Sequence, residues 1–174
     1  MNNQTEITSE DPKHHWEFLL CSGESVIDFG CAYNSSDDEN TRENKLGTPH
    51  FIINQEPKKY LGIDLYQPDL DVLKEEFKDN KNVEFINKPI ESSAQIQEIF
   101  DAFIPTVIKS DIEGAEIHFC NTVPPKELKQ IAIESHSYEI ENALIEWSKK
   151  HGFSVQHVQF LAKYPHIKIY YFLR

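Results

Sequence analysis

Short apolar runs alternate with amphipathic stretches along most of the chain. Seven runs are rich in β-branched and aromatic residues and predict strands. They are SVIDF, KYLGIDL, NVEFI, TVIKSD and QIAIES, followed by Phe153–Phe160 and Ile167–Leu173. Between the earlier runs, apolar residues recur at helical spacing. This alternation predicts an α/β domain with a doubly wound, mostly parallel sheet.

Capping residues mark the predicted helices. Pro68 suits a first helical turn, and Ser92 with Gln95 three residues later forms a capping-box pattern. Ser137 can begin the longest helix and Gly152 can end it. A short helix is also expected after the fourth strand. The last two strands have no helix between them, so they should pair antiparallel and close a seven-stranded sheet with a C-terminal hairpin.

The length of 174 residues indicates one domain. Residues 1–10 are polar and acidic, and we interpret them as a disordered lead-in without a signal peptide. Residues 11–174 then form a single domain, which opens with a helix from Asp11 that Gly23 ends. The polar stretch Ser35–Gly47 predicts an exposed loop, which is either a disordered insertion or a lid over a pocket.

The net charge of −12 bears on the kind of partner that the protein can bind, and the cysteine content bears on its cellular compartment. Such an acidic chain offers no basic stripe for a phosphate backbone, so nucleic acid is not expected as a partner. The three cysteines form no CxxC motif, which indicates neither a disulfide framework nor a zinc site and suits a reducing cytoplasm. No apolar run reaches membrane-spanning length, so no membrane partner is expected. The oligomeric state is left open.

Acidic residues follow the fourth and fifth predicted strands. Asp111 and Glu113 come directly after the run TVIKS, and Glu134 and His136 alternate at the end of QIAIES. Ligands of open α/β sheets bind outside the carboxyl ends of the strands. We therefore expect these acids to serve chemistry rather than to form a solvated acidic loop, while for His136 a structural role as a surface histidine stays open.

Two earlier strand ends carry candidates for binding a cofactor. The first strand ends in Asp28 and continues into Gly30 and Cys31, where a glycine permits close backbone approach and a carboxylate can reach an ammonium. The second strand ends in Asp64, whose acceptor-only side chain can bind both ribose hydroxyls. Leu65 follows Asp64 and could cover an adenine ring. A purely structural interpretation remains open for each site: a plain turn after the first strand at Asp28–Gly30, and a helix-capping aspartate at Asp64.

The segments IKSDIEGAE and IAIESH resemble the signature of the FkbM family of S-adenosylmethionine-dependent methyltransferases, which have the class I methyltransferase fold. The resemblance covers roughly residues 25–172 and is specific only around Lys109–Glu116 and Ile131–His136. It implies S-adenosylmethionine as cofactor, with Asp28, Asp64 and Asp111 at the rim of one crevice and Ile90 packing on the adenine. The first motif departs from the family pattern because Gly30 is its only glycine.

The resemblance implies methyl transfer to a hydroxyl of a small molecule such as a sugar or polyketide. A hydroxyl loses its proton during transfer, and Asp111 or His136 is the expected base, with Glu113 and Glu134 orienting the acceptor. Lys109 either pairs with these acids or is purely structural. A divalent ion between Asp111, Glu134 and His136 is conceivable, but no metal is assigned.

Two other functions stay open. One is a non-catalytic methyltransferase-like binding module with a degenerate cofactor loop, which the missing glycines favour. The other is an NAD-dependent enzyme, which Asp64 alone supports and which the absence of a GxGxxG motif opposes.

Overall fold

The computed structural model describes residues 6–9, 16–32, 48–161 and 164–174, and these residues build one sheet with helices on both faces. The strands are β1 (Glu6–Ser9), β2 (Ser25–Phe29), β3 (Lys59–Asp64), β4 (Val83–Asn87), β5 (Val107–Ser110), β6 (Gln130–Ser135), β7 (Ser154–Leu161) and β8 (Tyr164–Leu173). Their order across the sheet is β1-β7-β8-β6-β5-β2-β3-β4.

The strand order places the carboxyl ends of β2, β3 and β5 side by side. β2 lies at the centre and pairs in parallel with both β3 and β5, while β6 continues the parallel half beyond β5. β8 is antiparallel to both β6 and β7. The predicted doubly wound sheet with a C-terminal antiparallel hairpin is therefore confirmed, and its switch point lies between β2 and β5.

An eighth strand at the edge was not predicted. Glu6–Ser9 pairs in parallel with β7, so this part of the predicted disordered lead-in is a strand. A four-residue strand is too short for an alternating pattern, and its backbone hydrogen bonds to β7 cannot be read from its own residues. The remainder of the lead-in, residues 1–5 and 10, lies outside the described residues.

Apart from α1, the helices listed here begin and end close to the predicted residues. They are α1 (Thr48–Ile53), α2 (Gln67–Glu76), α3 (Ser93–Phe103), a 3₁₀ helix (Ala115–Asn121) and α4 (Tyr138–Lys150). The capping box of Ser92 and Gln95 is present, and the Ser137 side chain accepts a hydrogen bond from the backbone N–H of Ile140. α1 was not predicted, because its six residues are too few to show a helical period.

Two other predictions fall partly or wholly on residues that the structure does not describe. The predicted helix from Asp11 to Gly23 begins outside the described residues, and Trp16–Phe18 form a turn. The predicted loop Ser35–Gly47 lies entirely outside them, so its role as a lid stays a prediction.

Both faces of the sheet are covered by apolar side chains. One core contains residues of α3, α4 and the 3₁₀ helix packed on Ile27 and Phe29 of β2. The other contains residues of α1 and α2 packed on Val26 of β2 and Tyr60 of β3. β2 is therefore buried on both faces, as expected for the central strand of a parallel sheet. In the described part of the chain, no helix is long and apolar enough to cross a membrane.

Candidate active site

An open cleft of about 540 Å³ lies at the carboxyl ends of β2, β3 and β5. This volume is within the range of about 300–1,000 Å³ that is usual for small-molecule sites. Its position is the topological switch point, where open α/β sheets bind their ligands. The lining residues are Gly30, Ala32, Ile63, Asp64, Leu65, Tyr66, Lys88, Pro89, Ile90, Glu91, Asp111, Ile112, Glu113 and Ala115.

The Asp64 carboxylate lines this cleft in a fixed orientation. Its Oδ2 accepts a hydrogen bond from the backbone N–H of Ala32 at 2.9 Å, and its Oδ1 accepts one from the backbone N–H of Tyr66 at 2.8 Å. Each carboxylate oxygen keeps a second acceptor site. Asp64 can therefore accept two further hydrogen bonds, which is what a pair of ribose hydroxyls would supply.

Gly30 serves the packing of two strand ends against each other. Its backbone has φ +72°, and a Cβ added here would lie 1.7 Å from the carbonyl oxygen of Asp111. The glycine thus allows the segment after β5 to cross directly over the end of β2. The sequence predicted close approach of a ligand at this position, and the structure shows close approach of the protein's own backbone.

Asp28 lies behind the cleft and does not line it. The side chain is fully buried, accepting a hydrogen bond from the Tyr60 hydroxyl at 2.8 Å. Its other oxygen lies 3.1 Å from the ammonium of Lys109, which is equally buried. A direct contact between Asp28 and a cofactor would require Asp28 to leave both partners. The structure therefore places two of the three predicted rim carboxylates, Asp64 and Asp111, at one crevice.

Burial and charge act in opposite directions on this pair. Burial raises the pKa of Asp28, and the nearby ammonium of Lys109 only partly offsets this. Burial alone would lower the pKa of Lys109, but Asp28 and Asp111 outweigh it and the net shift is upward. Lys109 was expected to pair with the acids that follow β5 and β6 or to be structural, and the ion pair it forms is with Asp28.

The other predicted cofactor residues divide between the cleft and the core. Leu65 and Ile90 both line the cleft, and Leu65 is 72% exposed. An exposed leucine beside a cleft is suited to covering a flat apolar ligand surface. Cys31 is buried among the side chains on the α1 and α2 face of the sheet, where burial raises the pKa of its thiol. Cys31 therefore does not reach the cleft.

His136 stands at the centre of a cluster of four carboxylates. Its Nε2 lies 3.4 Å from Glu113, 3.5 Å from Glu134 and 3.7 Å from Asp111. Its Nδ1 lies 3.3 Å from Glu116. The four predicted catalytic residues are thus brought together beside the cleft. Asp111 and Glu113 belong to this cluster and also line the cleft.

The carboxylates hold a proton on His136. Burial would lower its pKa, but Glu116, Glu134 and Asp111 outweigh this effect and raise the pKa to about 9. Burial, together with the charge of Asp111, raises the pKa of Glu134 to about 8. At neutral pH this shift favours an imidazolium at His136, which can accept a proton only after losing one.

Glu116 belongs to the cluster but was not among the predicted site residues. Its fully buried carboxylate accepts hydrogen bonds from the backbone N–H groups of Ile112 and Gly114, both at 2.8 Å. These bonds shape the turn from β5 into the 3₁₀ helix. The only signal for this role was the spacing of Glu116 within the acidic motif.

A divalent cation would find ligands in this cluster. Ligand atoms of Asp111, Glu116 and His136 lie within 4.8 Å of one another. Glu116 therefore belongs to the tightest group, whereas the sequence suggested Glu134 in its place. Imidazole and carboxylate are both suitable ligands for such ions, although a cation would have to displace the proton of His136.

Comparison with known proteins supports the fold. No protein-family model matches the chain, and a search of curated proteins finds no match. Fibrillarin of Aeropyrum pernix, crystallised with S-adenosyl-L-methionine, superposes with a TM-score of 0.58 at 12% identity, over 89% of this chain and 68% of that one. A Streptococcus pneumoniae protein assigned as a tRNA (m1A22) methyltransferase, also with S-adenosyl-L-methionine, gives 0.58 at 13% identity, over 96% and 73%. The ribosomal protein L11 methylase of Lactobacillus delbrueckii gives 0.58 at 10% identity, over 92% and 74%.

The chain therefore has the Rossmann-like fold of class I methyltransferases, and its structural neighbours include S-adenosylmethionine-dependent enzymes of that class. The FkbM resemblance is not tested by these matches. The neighbours do overturn the exclusion of nucleic acid as a partner, since one of them is assigned to tRNA. Net charge alone does not exclude such an acceptor, because it averages over the whole surface while an acceptor meets only the rim of one cleft.

Proposed function

We propose that this protein is an S-adenosylmethionine-dependent methyltransferase. The observation that carries the proposal is the cleft at the switch point, which Asp64 and Asp111 both line and whose volume suits a small ligand. The Asp64 carboxylate accepts hydrogen bonds from the ribose hydroxyls, while Leu65 and Ile90 pack against the adenine. The bound cofactor supplies an electrophilic methyl group on a sulfonium.

The residues of the cluster supply charge and a base. Asp111 and Glu113 place negative charge beside the position of a sulfonium, which favours the charged cofactor. Asp111 is the base for an acceptor hydroxyl, because His136 already carries a proton at neutral pH. The imidazolium of His136 and the carboxyl of Glu134 orient the acceptor. Alignment and exclusion of water supply most of the acceleration in such a displacement.

The acceptor class is the finer part of the proposal. The FkbM-like motifs favour a hydroxyl of a small molecule. The structural neighbours are assigned to tRNA and to ribosomal protein L11, so RNA and protein acceptors belong in the same test. The cytoplasmic location that the cysteine content indicates stays a prediction.

The test is transfer of tritium from S-[methyl-³H]adenosylmethionine to small hydroxyl compounds, total RNA and protein in parallel. We expect one class to be labelled by the wild-type protein and the label to be lost in Asp111→Asn. The alternative, a binding module with a degenerate cofactor loop, predicts saturable cofactor binding without labelling of any class. Absence of both binding and labelling would contradict the proposal.

A further inference from the structure

The ammonium of Lys109 is buried and contacts three groups of the protein. Lys109 is the third residue of β5 and its side chain is only 1% exposed. Its Nζ donates a hydrogen bond to the carbonyl of Gly30 at 2.7 Å and a longer one to that of Phe29 at 3.4 Å, beside its ion pair with Asp28 at 3.1 Å. Two of the three N–H groups of the ammonium thus serve backbone carbonyls, and its charge is paired with Asp28. Lys109 therefore acts on the protein and not on a ligand.

The partner that matters for the cleft is the carbonyl of Gly30. The backbone N–H of Gly30 is bonded to the carbonyl of Ile63 at 2.8 Å, so the two sides of this residue are held by two neighbouring strands. Two residues on, the N–H of Ala32 orients the Asp64 carboxylate at 2.9 Å. Both Gly30 and Ala32 line the cleft. A contact that holds the Gly30 carbonyl in place therefore also holds the backbone N–H of Ala32, which orients the Asp64 carboxylate.

We infer that Lys109 is a positioning residue for cofactor binding, because it holds the turn Gly30–Ala32 and through it the Asp64 carboxylate. The inference rests on the proposed function, in which Asp64 binds the ribose.

A simpler role for Lys109 would be to neutralise Asp28. Buried ion pairs often add little net stability, and removing one partner leaves an uncompensated charge. The two roles separate because Asp28 has a second partner, the Tyr60 hydroxyl at 2.8 Å, which takes no part in the hydrogen bond from Lys109 to Gly30. A variant without the Tyr60 hydroxyl disturbs Asp28 while it keeps the bond from Lys109 to Gly30.

The experiment compares three proteins by calorimetric titration with S-adenosylmethionine and by urea unfolding. The double variant D28N/K109M removes both charges together, so no unpaired ion is left in the core. We expect it to fold and to bind the cofactor about 10-fold more weakly, since it loses a charge-assisted hydrogen bond at the turn. The matched control Tyr60→Phe should unfold at lower urea and keep its Kd within about 2-fold of the wild type.

Amide hydrogen exchange of Ala32 supplies a second measurement, which does not depend on the double variant being folded. Tyr60→Phe should leave the protection of this amide unchanged if Lys109 holds the turn. Exposure of the amide in Tyr60→Phe, or wild-type affinity in a folded double variant, would overturn the inference while the proposed function stands. A wild-type protein that binds no S-adenosylmethionine would overturn both, and this outcome is distinct from the first two.

Discussion

The Nδ1 atom of His136 lies 3.3 Å from the carboxylate of Glu116, a fully buried side chain that also holds two backbone N–H groups. This contact ties the end of β6 to the turn after β5. It is also a principal reason why the pKa of His136 is raised to about 9. The centre of the acidic cluster is therefore a charged group whose proton depends on folding.

The stability of the protein should decrease with pH because of this proton. A pKa raised from 6.5 to about 9 means that the stabilisation is complete below about pH 6.5 and is lost as the pH rises through about 9. Glu134, with its pKa raised to about 8, contributes a loss of the same sign. In the His136→Gln variant, only the contribution of Glu134 to this pH dependence of the unfolding free energy remains. Near pH 7.5 we expect the slope of unfolding free energy against pH to be smaller by about one proton, or ~1.4 kcal/mol per pH unit.

Urea unfolding of the wild-type and His136→Gln proteins at several pH values between 6 and 9 measures both slopes. His166→Gln is the control, since His166 is exposed at the start of β8 and far along the chain from the cluster. Equal slopes in all three proteins would show that the neighbouring carboxylates do not raise the pKa of His136.

Gly30 and Gly23 form a matched pair for testing the contact between the ends of β2 and β5. They have nearly the same backbone angle, φ +72° and φ +71°, but a Cβ at Gly23 would meet nothing within 4 Å. Gly23→Ala should cost about 1–2 kcal/mol for the left-handed backbone alone. Gly30→Ala should cost about 1–3 kcal/mol more, because its Cβ collides with the Asp111 carbonyl. Thermal unfolding measures both, and similar losses would mean that the two strand ends do not touch.

Asp111 should distinguish the cofactor, which carries a sulfonium charge, from its product, in which that sulfur is a neutral thioether. If its carboxylate lies beside the sulfonium, Asp111→Asn should weaken binding of S-adenosylmethionine about 3- to 10-fold and change binding of S-adenosylhomocysteine less. Asp101→Asn, an exposed position on α3, is the control for a change in overall charge. Competition titration with the two ligands gives the ratio. An equal loss for both ligands would place Asp111 away from the sulfonium.

Leu65 should contribute to affinity and very little to stability. The side chain is 72% exposed, so Leu65→Ala should change the unfolding free energy by no more than about 0.5 kcal/mol. If Leu65 covers the adenine, the lost apolar contact should weaken adenosine-containing ligands by roughly 1 kcal/mol, or about 5-fold. Val72→Ala, exposed on α2, is the control. Unchanged affinity in Leu65→Ala would remove Leu65 from the binding surface.

The sequence predicted most of the fold because its elements are marked locally. The alternation of apolar positions located seven strands, and the capping residues Ser92 and Ser137 located the beginnings of α3 and α4. The elements that were missed, β1 and α1, are short and owe their form to partners distant in the chain. A strand that exists only by pairing with β7 has no signal in four residues of its own.

The candidate site was predicted less completely, because side-chain direction depends on tertiary packing. Strand ends identified Asp64, Asp111 and the residues around His136, since the carboxyl ends of parallel strands share one edge of the sheet. Asp28 occupies the same kind of position, but its side chain alternates into the core on the α1 and α2 face with Tyr60. The ion pair with Lys109 joins two strands that are adjacent only in the folded sheet, and no spacing in the sequence reveals it.

The most direct test of the account is calorimetric titration of the wild-type protein and of Asp64→Ala with S-adenosylmethionine. The account predicts saturable binding at one site per wild-type chain and a loss of affinity of about 100-fold or more in Asp64→Ala, because two charge-assisted hydrogen bonds to ribose are removed. Circular dichroism and urea unfolding should show that the variant is folded. No binding by the wild type, or equal binding by a folded Asp64→Ala protein, would contradict the account.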